Sequence, residues 1–452
     1  MKKFVIAVLF VLFPILLSTA AMAAGGAGPS KDMLKGQILS VDAAAHTLLF
    51  EKDPTGEQLT LKLPENIAPE EVKLNRKVLV NLVHQEGEHQ AEGEPSAAAM
   101  REIKDIEIMF LTMTLGRILA LMGIGAIGGL LSGFIGSGGA FVMTPAMMSL
   151  GAPGAVAVAS NMCHKFPKAM VGAYKRWKYG QVDIKLGLVM AASAIIGVQI
   201  GIQIQKFILA AFGGAGSNLY ISVVFLVVLV FVGGYIMMDA INLMKGSKAG
   251  DDEAKVCKLA LTMQKINIPP MMTFKTAKIT ISAWITLPVG ILTGMLAATI
   301  AVGGFIGVPG LIYVMGVSAV AATATELVIA FVMGAWGSFQ WGLSGLIDIR
   351  LTVLLLSCSL IGVQLGALGT TYVKDYVIKL VMAATMLIVA VSRGAMVPSY
   401  LIDLGWVQPI SPSTLSLLNS LSFWALISAL VIAGGIIIVA MIKGMTAGKQ
   451  AA

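Results

Sequence analysis

The chain has 452 residues, of which 57% are hydrophobic and only 12% charged, and its mean hydropathy is +0.86. These values lie well outside the range of soluble globular proteins and indicate a polytopic membrane protein. The net charge of +8 is more typical of loops that orient a membrane domain than of nucleic-acid contact. The three cysteines contain no CxxC pair, so we predict neither a disulfide framework nor a thiolate metal site.

The N-terminus has the three parts of a secretory signal peptide, which we place at residues 1–24. Lys2 and Lys3 precede an apolar run, and residues 21–24 (A-M-A-A) supply the small side chains of a cleavage site. An uncleaved first helix is the alternative. In both cases the residues that follow are expected outside the cytoplasm.

Residues 25–105 form a region of different character, with nine Lys/Arg against fourteen Asp/Glu. Short runs with strand patterning alternate there with Pro and Gly turns, which predicts a small β-barrel or sandwich of four or five strands. The runs are Gln37–Val41, Thr47–Phe50, Gln58–Leu63 and Lys77–Val83. A His- and Glu-containing loop at 84–94 could hold a metal, but a solvated acidic linker is the preferred interpretation, and we predict no metal site.

Apolar segments occupy most of the chain from residue 108 to 442. We predict them at about 110–135, 139–151, 153–174, 184–207, 219–244, 279–302, 304–316, 318–341, 350–372, 374–392 and 418–442, with a linker at 245–277. Crossing ~30 Å of hydrocarbon takes about 20 helical residues. The segments at 139–151 and 304–316 are too short to cross, and each begins at a glycine pair, so we predict half-helices.

The membrane region consists of two related halves, 110–244 and 279–442. At a constant offset of 165, Ile196–Gly201 and Ile361–Gly366 differ at one residue. Glycines at 151, 172 and 180 likewise match glycines at 316, 337 and 345. This agreement indicates an internal repeat.

The charges of matching loops predict how the two halves are oriented. The loop at 174–185 carries four Lys/Arg, whereas its counterpart at 339–350 carries Arg350 alone. By the positive-inside rule the first loop faces the cytoplasm and the second faces out. The lysine-rich linker then lies inside and residues 394–415 lie outside. These placements make the repeats inverted, which implies alternating access about a site at the membrane midplane.

Each half contains a Gly/Pro break, at residues 136–145 and 303–309. Non-helical backbone at membrane depth is tolerated only inside protein or beside a polar cavity, and paired breaks are typical of a transporter's substrate site. Glycine also allows the backbone to approach an anion closely. The candidate substrate-binding glycines are Gly138, Gly139, Gly303 and Gly304.

An unusually polar stretch lies at 160–168, inside the segment 153–174. Lys165 lies ~15 Å from the predicted cytoplasmic end, near the bilayer centre, where an ionisable group usually faces a bundle interior or a pathway. Lys168 could instead snorkel to the cytoplasmic face.

In the second half Glu326 matches Asn161. Glu326 could pair with Lys165 or His164, either as a structural ion pair or in proton coupling, and the pattern does not separate these roles. The further substrate-binding candidates are Ser160, Asn161, His164, Lys165, Thr325 and Glu326.

The combined motifs resemble the TauE/SafE family of sulfite exporters. The first copy is residues 128–145, with Gly151, Ala157, Ser160-Asn161, Gly172 and Lys175-Arg176; the second is residues 294–309, continuing to Gly366. The resemblance covers roughly 110–440. It implies a multi-spanning carrier of small sulfur-containing anions, such as sulfite or organosulfonates, in the inner membrane. The exported β domain is an addition to the minimal family.

The fold class we predict is an all-α polytopic membrane protein of two inverted repeats with broken half-helices, preceded by a small extracytoplasmic β domain. The half-helix N-termini and Lys165 would together favour a small anion at the midplane. We expect a secondary transporter without a cofactor and not an enzyme. A passive anion channel, and a sensor whose β domain binds a ligand, are the alternatives. Haem is disfavoured because His164 is the only histidine past residue 89.

Overall fold

The fold is known from a computed structural model, which describes residues 33–52, 55–63, 77–82, 103–108, 110–136, 139–248, 258–373 and 375–450. The expected signal peptide and the acidic loop at 84–94 lie outside the described residues. Among the described helices, seven are long and apolar enough to cross a membrane. The predicted polytopic helical fold is confirmed.

In its described residues the N-terminal region is one five-stranded antiparallel sheet in the order β3-β2-β1-β4-β5, where the sequence predicted a small barrel or sandwich of four or five strands. Its strands are β1 (Met33–Asp42), β2 (Thr47–Lys52), β3 (Glu57–Lys62), β4 (Lys77–Leu82) and β5 (Ile103–Ile108). Alternate residues such as Leu48 and Phe50 are buried in a small core of their own, as the period-two pattern of a half-buried strand requires.

The first half of the membrane region follows the predicted segments. It contains α1 (Leu115–Ile135), the half-helix α2 (Ala140–Ser149), α3 (Gly154–Lys178) and α4 (Ile184–Lys248). The 65-residue α4 comprises two helices, because Gly213 at φ 65° and ψ −164° leaves the helical region.

The linker holds more structure than predicted. A short helix α5 (Lys258–Gln264) precedes a hairpin of β6 (Met271–Phe274) and β7 (Ile279–Ser282). The apolar segment predicted at about 279–302 therefore includes strand β7 as well as a helix. The helix begins after Ser282, whose hydroxyl accepts a hydrogen bond from the Trp284 N–H and caps it.

The second half repeats the order of the first. It contains α6 (Ala283–Ile300), the half-helix α7 (Gly304–Pro309) with a π-helical turn over Gly310–Val314, α8 (Ala319–Leu343), α9 (Ile349–Gly369), α10 (Asp375–Asp403) and α11 (Pro412–Gln450). The last two helices are longer than the segments predicted at 374–392 and 418–442.

The internal repeat is also visible in the packing between helices. A Cβ atom on Gly197 would lie 1.9 Å from the carbonyl oxygen of Ile291, and one on Gly362 would lie 2.2 Å from that of Ala126. Gly362 lies 165 residues after Gly197, and Ile291 lies 165 residues after Ala126, so the two contacts are equivalent in the repeat. The pairs α4/α6 and α1/α9 therefore pack backbone against backbone through equivalent glycines, as small residues allow in membrane helices.

Candidate functional site

The two half-helices meet at the centre of the membrane region. The rings of Phe141 in α2 and Phe305 in α7 lie 4.2 Å apart, centroid to centroid, and both are fully buried. These phenylalanines follow the two glycine pairs in sequence. The starts of α2 and α7 therefore come together, as the sequence predicts for paired breaks.

The glycines at these starts pack against the preceding helix. A Cβ atom on Gly139 would lie 1.8 Å from the carbonyl oxygen of Gly128, and one on Gly303 would lie 2.6 Å from that of Thr293. Close backbone packing is thus a reason for glycine that our sequence interpretation did not include. Gly304, the first residue of α7, is buried, and Gly138 lies outside the described residues.

Asn161 and Glu326 each contact the half-helix of their own repeat. The Asn161 Nδ2 donates hydrogen bonds to the Ala140 carbonyl and to Thr144 Oγ1, both at 2.8 Å. The Glu326 Oε2 lies 2.3 Å from where a Cβ atom on Gly307 would be. The matching positions therefore hold an amide against α2 and a carboxylate against α7.

A fully buried basic cluster lies next to these contacts and consists of His164, Lys165 and Lys168. His164 Nε2 lies 2.7 Å from Ser359 Oγ, and Nδ1 lies 3.3 Å from Asn161 Oδ1. Lys168 is buried rather than snorkelled to the membrane face.

The charges of this cluster act on one another. Lys165 interacts electrostatically with Lys168 and with Glu326. Among the described residues, neither lysine ammonium has a hydrogen-bond partner. With both lysines protonated, Glu326 offsets one of their two charges, and a buried positive charge is left over.

Ser160 and Thr325, two further candidates, tie the repeats together. The Asp348 N–H donates to Ser160 Oγ at 2.9 Å, and the Asp183 N–H donates to Thr325 Oγ1 at 3.1 Å. Ser160 thus accepts a hydrogen bond from the residue just before α9, and Thr325 accepts one from the residue just before α4. The two bonds are equivalent at the offset of 165.

Two buried arginines were given no role in the sequence interpretation. Arg176, quoted only as part of a motif, donates from its guanidinium to Gln181 Oε1, Thr323 Oγ1 and the Val320 carbonyl. Arg393 is fully buried in α10. An arginine inside a long apolar span was a usable signal, because such residues are costly there and usually functional.

The fold and the buried charges define a polytopic membrane protein with paired broken helices. The model of the sulfite exporter TauE/SafE family matches residues 121–393, and the chain belongs to this family. It is therefore a membrane transporter.

A weaker likeness points to the same class of protein. The chain is 23% identical over 257 residues to a probable membrane transporter protein, YdhB, of Bacillus subtilis (strain 168). The aligned residues make up 56% of this chain and 89% of the relative. No solved structure matches the chain significantly.

Proposed function

We propose that the protein is an inner-membrane secondary transporter of small sulfur-containing oxyanions, of the sulfite and organosulfonate class, working by alternating access. The observation that carries this proposal is the residue make-up of the buried cluster. Two lysines and one carboxylate lie together, and both ammonium groups lack hydrogen-bond partners among the described residues. An anion between them would supply both the missing charge and the missing acceptors.

Electrostatics favours an anion over other ligands. An isolated charge in the membrane interior costs several kcal/mol, so it is retained where a partner offsets it. A sulfite or sulfonate group has several acceptor oxygens, which suits two ammonium groups that can each donate three hydrogen bonds. A cationic substrate would add to the excess charge.

The half-helices add to this preference for an anion. Neither Gly139 nor Gly303 caps its half-helix with a side chain. The positive dipole end at the start of α2, where the first N–H groups have no partner within the helix, therefore adds to the positive potential of the lysines. We propose that Gly139, Asn161, His164, Lys165, Gly303, Gly304 and Glu326 surround the substrate, with Ser160 and Thr325 holding the surrounding helices in place.

Inverted repeats are the second part of the proposal, and contacts at the helix ends support them. Arg350, at the start of α9, donates to the Leu111 carbonyl, just before α1. At the other end of α9, the Thr370 hydroxyl donates to Gln181, which lies just before α4. Asp183, in the same short connection, accepts from the backbone N–H of Thr276, just before α6. The first helix of repeat one thus begins near the start of α9, and the first helix of repeat two begins near the end of α9. The two repeats therefore begin at opposite ends of the bundle. With the charge bias of the loops, this favours an exported β domain and a cytoplasmic linker.

Cysteine labelling from each side of the membrane tests this orientation. A cysteine introduced at Ser411 should react with an impermeant reagent from outside, and one introduced at Lys265 only after the membrane is opened. The cysteine-free parent is the control. Labelling of the Lys265 position from outside would contradict the inverted arrangement.

Transport in proteoliposomes tests the function and separates it from its alternatives. We expect saturable uptake of radiolabelled sulfite that accelerates when the vesicles are preloaded with unlabelled sulfite. A carrier exchanges substrate in this way, whereas a passive channel gives no such acceleration. Repeating the assay with an imposed pH gradient tests proton coupling.

A sensor makes a different prediction in the same assay. If the β domain only senses a ligand and the helices signal, vesicles containing the protein should take up no more anion than empty vesicles. Lack of uptake for sulfite, sulfate and a panel of organosulfonates would refute the proposed substrate class.

A further inference from the structure

A second buried cation lies at the far end of the first half-helix. The Arg393 Nη2 donates hydrogen bonds to the hydroxyl oxygens of Ser149, Ser392 and Ser422, at 3.0, 3.3 and 3.2 Å. Ser149 is the last residue of α2, and Ser422 lies on α11. One guanidinium therefore joins α2, α10 and α11 through three neutral hydroxyls.

The charge of Arg393 is not balanced by these contacts. Its side chain is fully buried, and its Nε and Nη1 atoms have no hydrogen-bond partner among the described residues. Among the titratable side chains that the structure describes, the one that acts on it electrostatically is Tyr400, which is neutral at ordinary pH. Arginine stays protonated in proteins, so within the described part of the chain this is a buried charge without a counter-ion.

The end of the second half-helix has a similar contact, but there the charge is balanced. At the offset of 164 that relates Phe141 to Phe305, Ser149 corresponds to Tyr313. The Tyr313 hydroxyl donates to Asp239 Oδ2 at 2.7 Å, and Lys379 forms an ion pair with the same oxygen, also at 2.7 Å. A carboxylate thus neutralises the cation near α7, whereas the hydrogen bonds of the cation near α2, among the described residues, all go to hydroxyls.

A purely structural role does not account for this difference. Joining three helices requires only the Nη2 atom, and a neutral side chain could do it without a desolvated charge. A cation in a buried site is normally paired, because its desolvation costs several kcal/mol. The guanidinium and the three hydroxyls are together the donor set that binds oxyanions well.

We infer that Arg393, with Ser149, Ser392 and Ser422, forms a second binding site for a small oxyanion. The inference rests on the proposed function, since the site would take the same class of anion as the central cluster. The ten residues of α2 separate the two sites by ~15 Å at 1.5 Å per residue. Ser149 is partly exposed, and the proposed topology places this end of α2 outside. An anion there is one half-helix away from the central lysines.

Counting bound anions tests this second site. Purified full-length protein in a nonionic detergent is dialysed to equilibrium against radiolabelled sulfite. We expect two anions per wild-type chain, one in Arg393→Gln, one in Lys165→Met and none in the double variant. Arg393→Lys should keep the second anion with weaker affinity, because it keeps the charge and loses the planar fork of donors.

The matched control is Arg350→Gln. Arg350 is paired with Asp348 at 2.8 Å and is half exposed, so its loss removes an arginine near the same end of the bundle without touching the cluster. This variant should still bind two anions. Two anions bound by folded Arg393→Gln would overturn the inference.

A milder variant covers the case in which Arg393→Gln does not fold. Ser422→Ala removes one hydroxyl and keeps the charge, and it should weaken binding of one anion several-fold. Unchanged affinity for both anions in Ser422→Ala would also overturn the inference. If Lys165→Met keeps two anions while Arg393→Gln loses one, the proposed role of Lys165 in the central site has failed and the second site stands.

Discussion

Replacing Lys165 by methionine is expected to weaken anion binding at the central cluster strongly while leaving the protein folded. The ammonium would make charge-assisted hydrogen bonds to the anion, each worth about 1.5–3 kcal/mol. Its loss should weaken binding at least about tenfold, since about 1.4 kcal/mol corresponds to a factor of ten. Equilibrium binding of sulfite and counterflow in proteoliposomes measure this effect.

The stability of the same variant separates a substrate role from a structural one. Lys168 remains in the cluster to offset Glu326, so Lys165→Met should keep or raise the melting temperature. If Lys165 serves chiefly as the partner of Glu326, the change leaves a poorly compensated buried carboxylate and destabilises the protein by about 3–5 kcal/mol. The double variant with Glu326→Gln should then recover stability.

Lys178→Met is the matched control for this prediction. Lys178 ends the same helix, is exposed, and lies 4.6 Å from the centroid of the Tyr174 ring. The same substitution there should leave both binding and stability nearly unchanged. Wild-type sulfite affinity in Lys165→Met would move the central site to the half-helix ends alone.

Replacing Gly139 by alanine is expected to disrupt the membrane region itself. The added Cβ atom would lie 1.8 Å from the carbonyl oxygen of Gly128, and a backbone atom cannot rotate away as a side chain can. Overpacking of this kind typically costs about 1–3 kcal/mol and occasionally more; contact with a backbone carbonyl favours the upper end. We expect a lower melting temperature and less folded protein in the membrane.

Gly123→Ala controls for the loss of a glycine from a membrane helix. Gly123 lies on α1, and a Cβ atom there would meet nothing within 4 Å. This variant should be as stable as the wild type or slightly more stable, because alanine favours the helix. If Gly139→Ala folds with a wild-type melting temperature and loses only transport, the glycine serves the anion and not the packing.

The sequence alone determined the class of protein and its internal repeat. Mean hydropathy excludes a soluble protein. Most of the apolar segments agree with described helices because a bilayer imposes a minimum length on them, although the last two helices extend beyond their segments. The offset of 165 reappears in the packing between helices, for example where Gly197 packs against the backbone of Ile291. The paired Gly/Pro breaks also predicted where the two half-helices begin, since few other local patterns interrupt an apolar helix.

Only the tertiary structure decided what the polar residues contact. Ser160 and Asn161 are neighbours in sequence, yet one accepts from the backbone before α9 and the other donates to α2. Helical geometry points adjacent residues in different directions, and the partners lie on segments that the sequence does not place beside them.

The same limit applies to the charges. Nothing in the sequence distinguishes Lys379, whose ammonium has a carboxylate partner, from Arg393, whose hydrogen-bond partners among the described residues are hydroxyls. Whether a charge is balanced depends on groups from other helices, and a pattern along one helix does not contain them. Apolar burial depends on composition and on the spacing of apolar residues, so it can be predicted from the sequence. Electrostatic pairing depends on the distance between side chains of different helices, so it is decided by the fold.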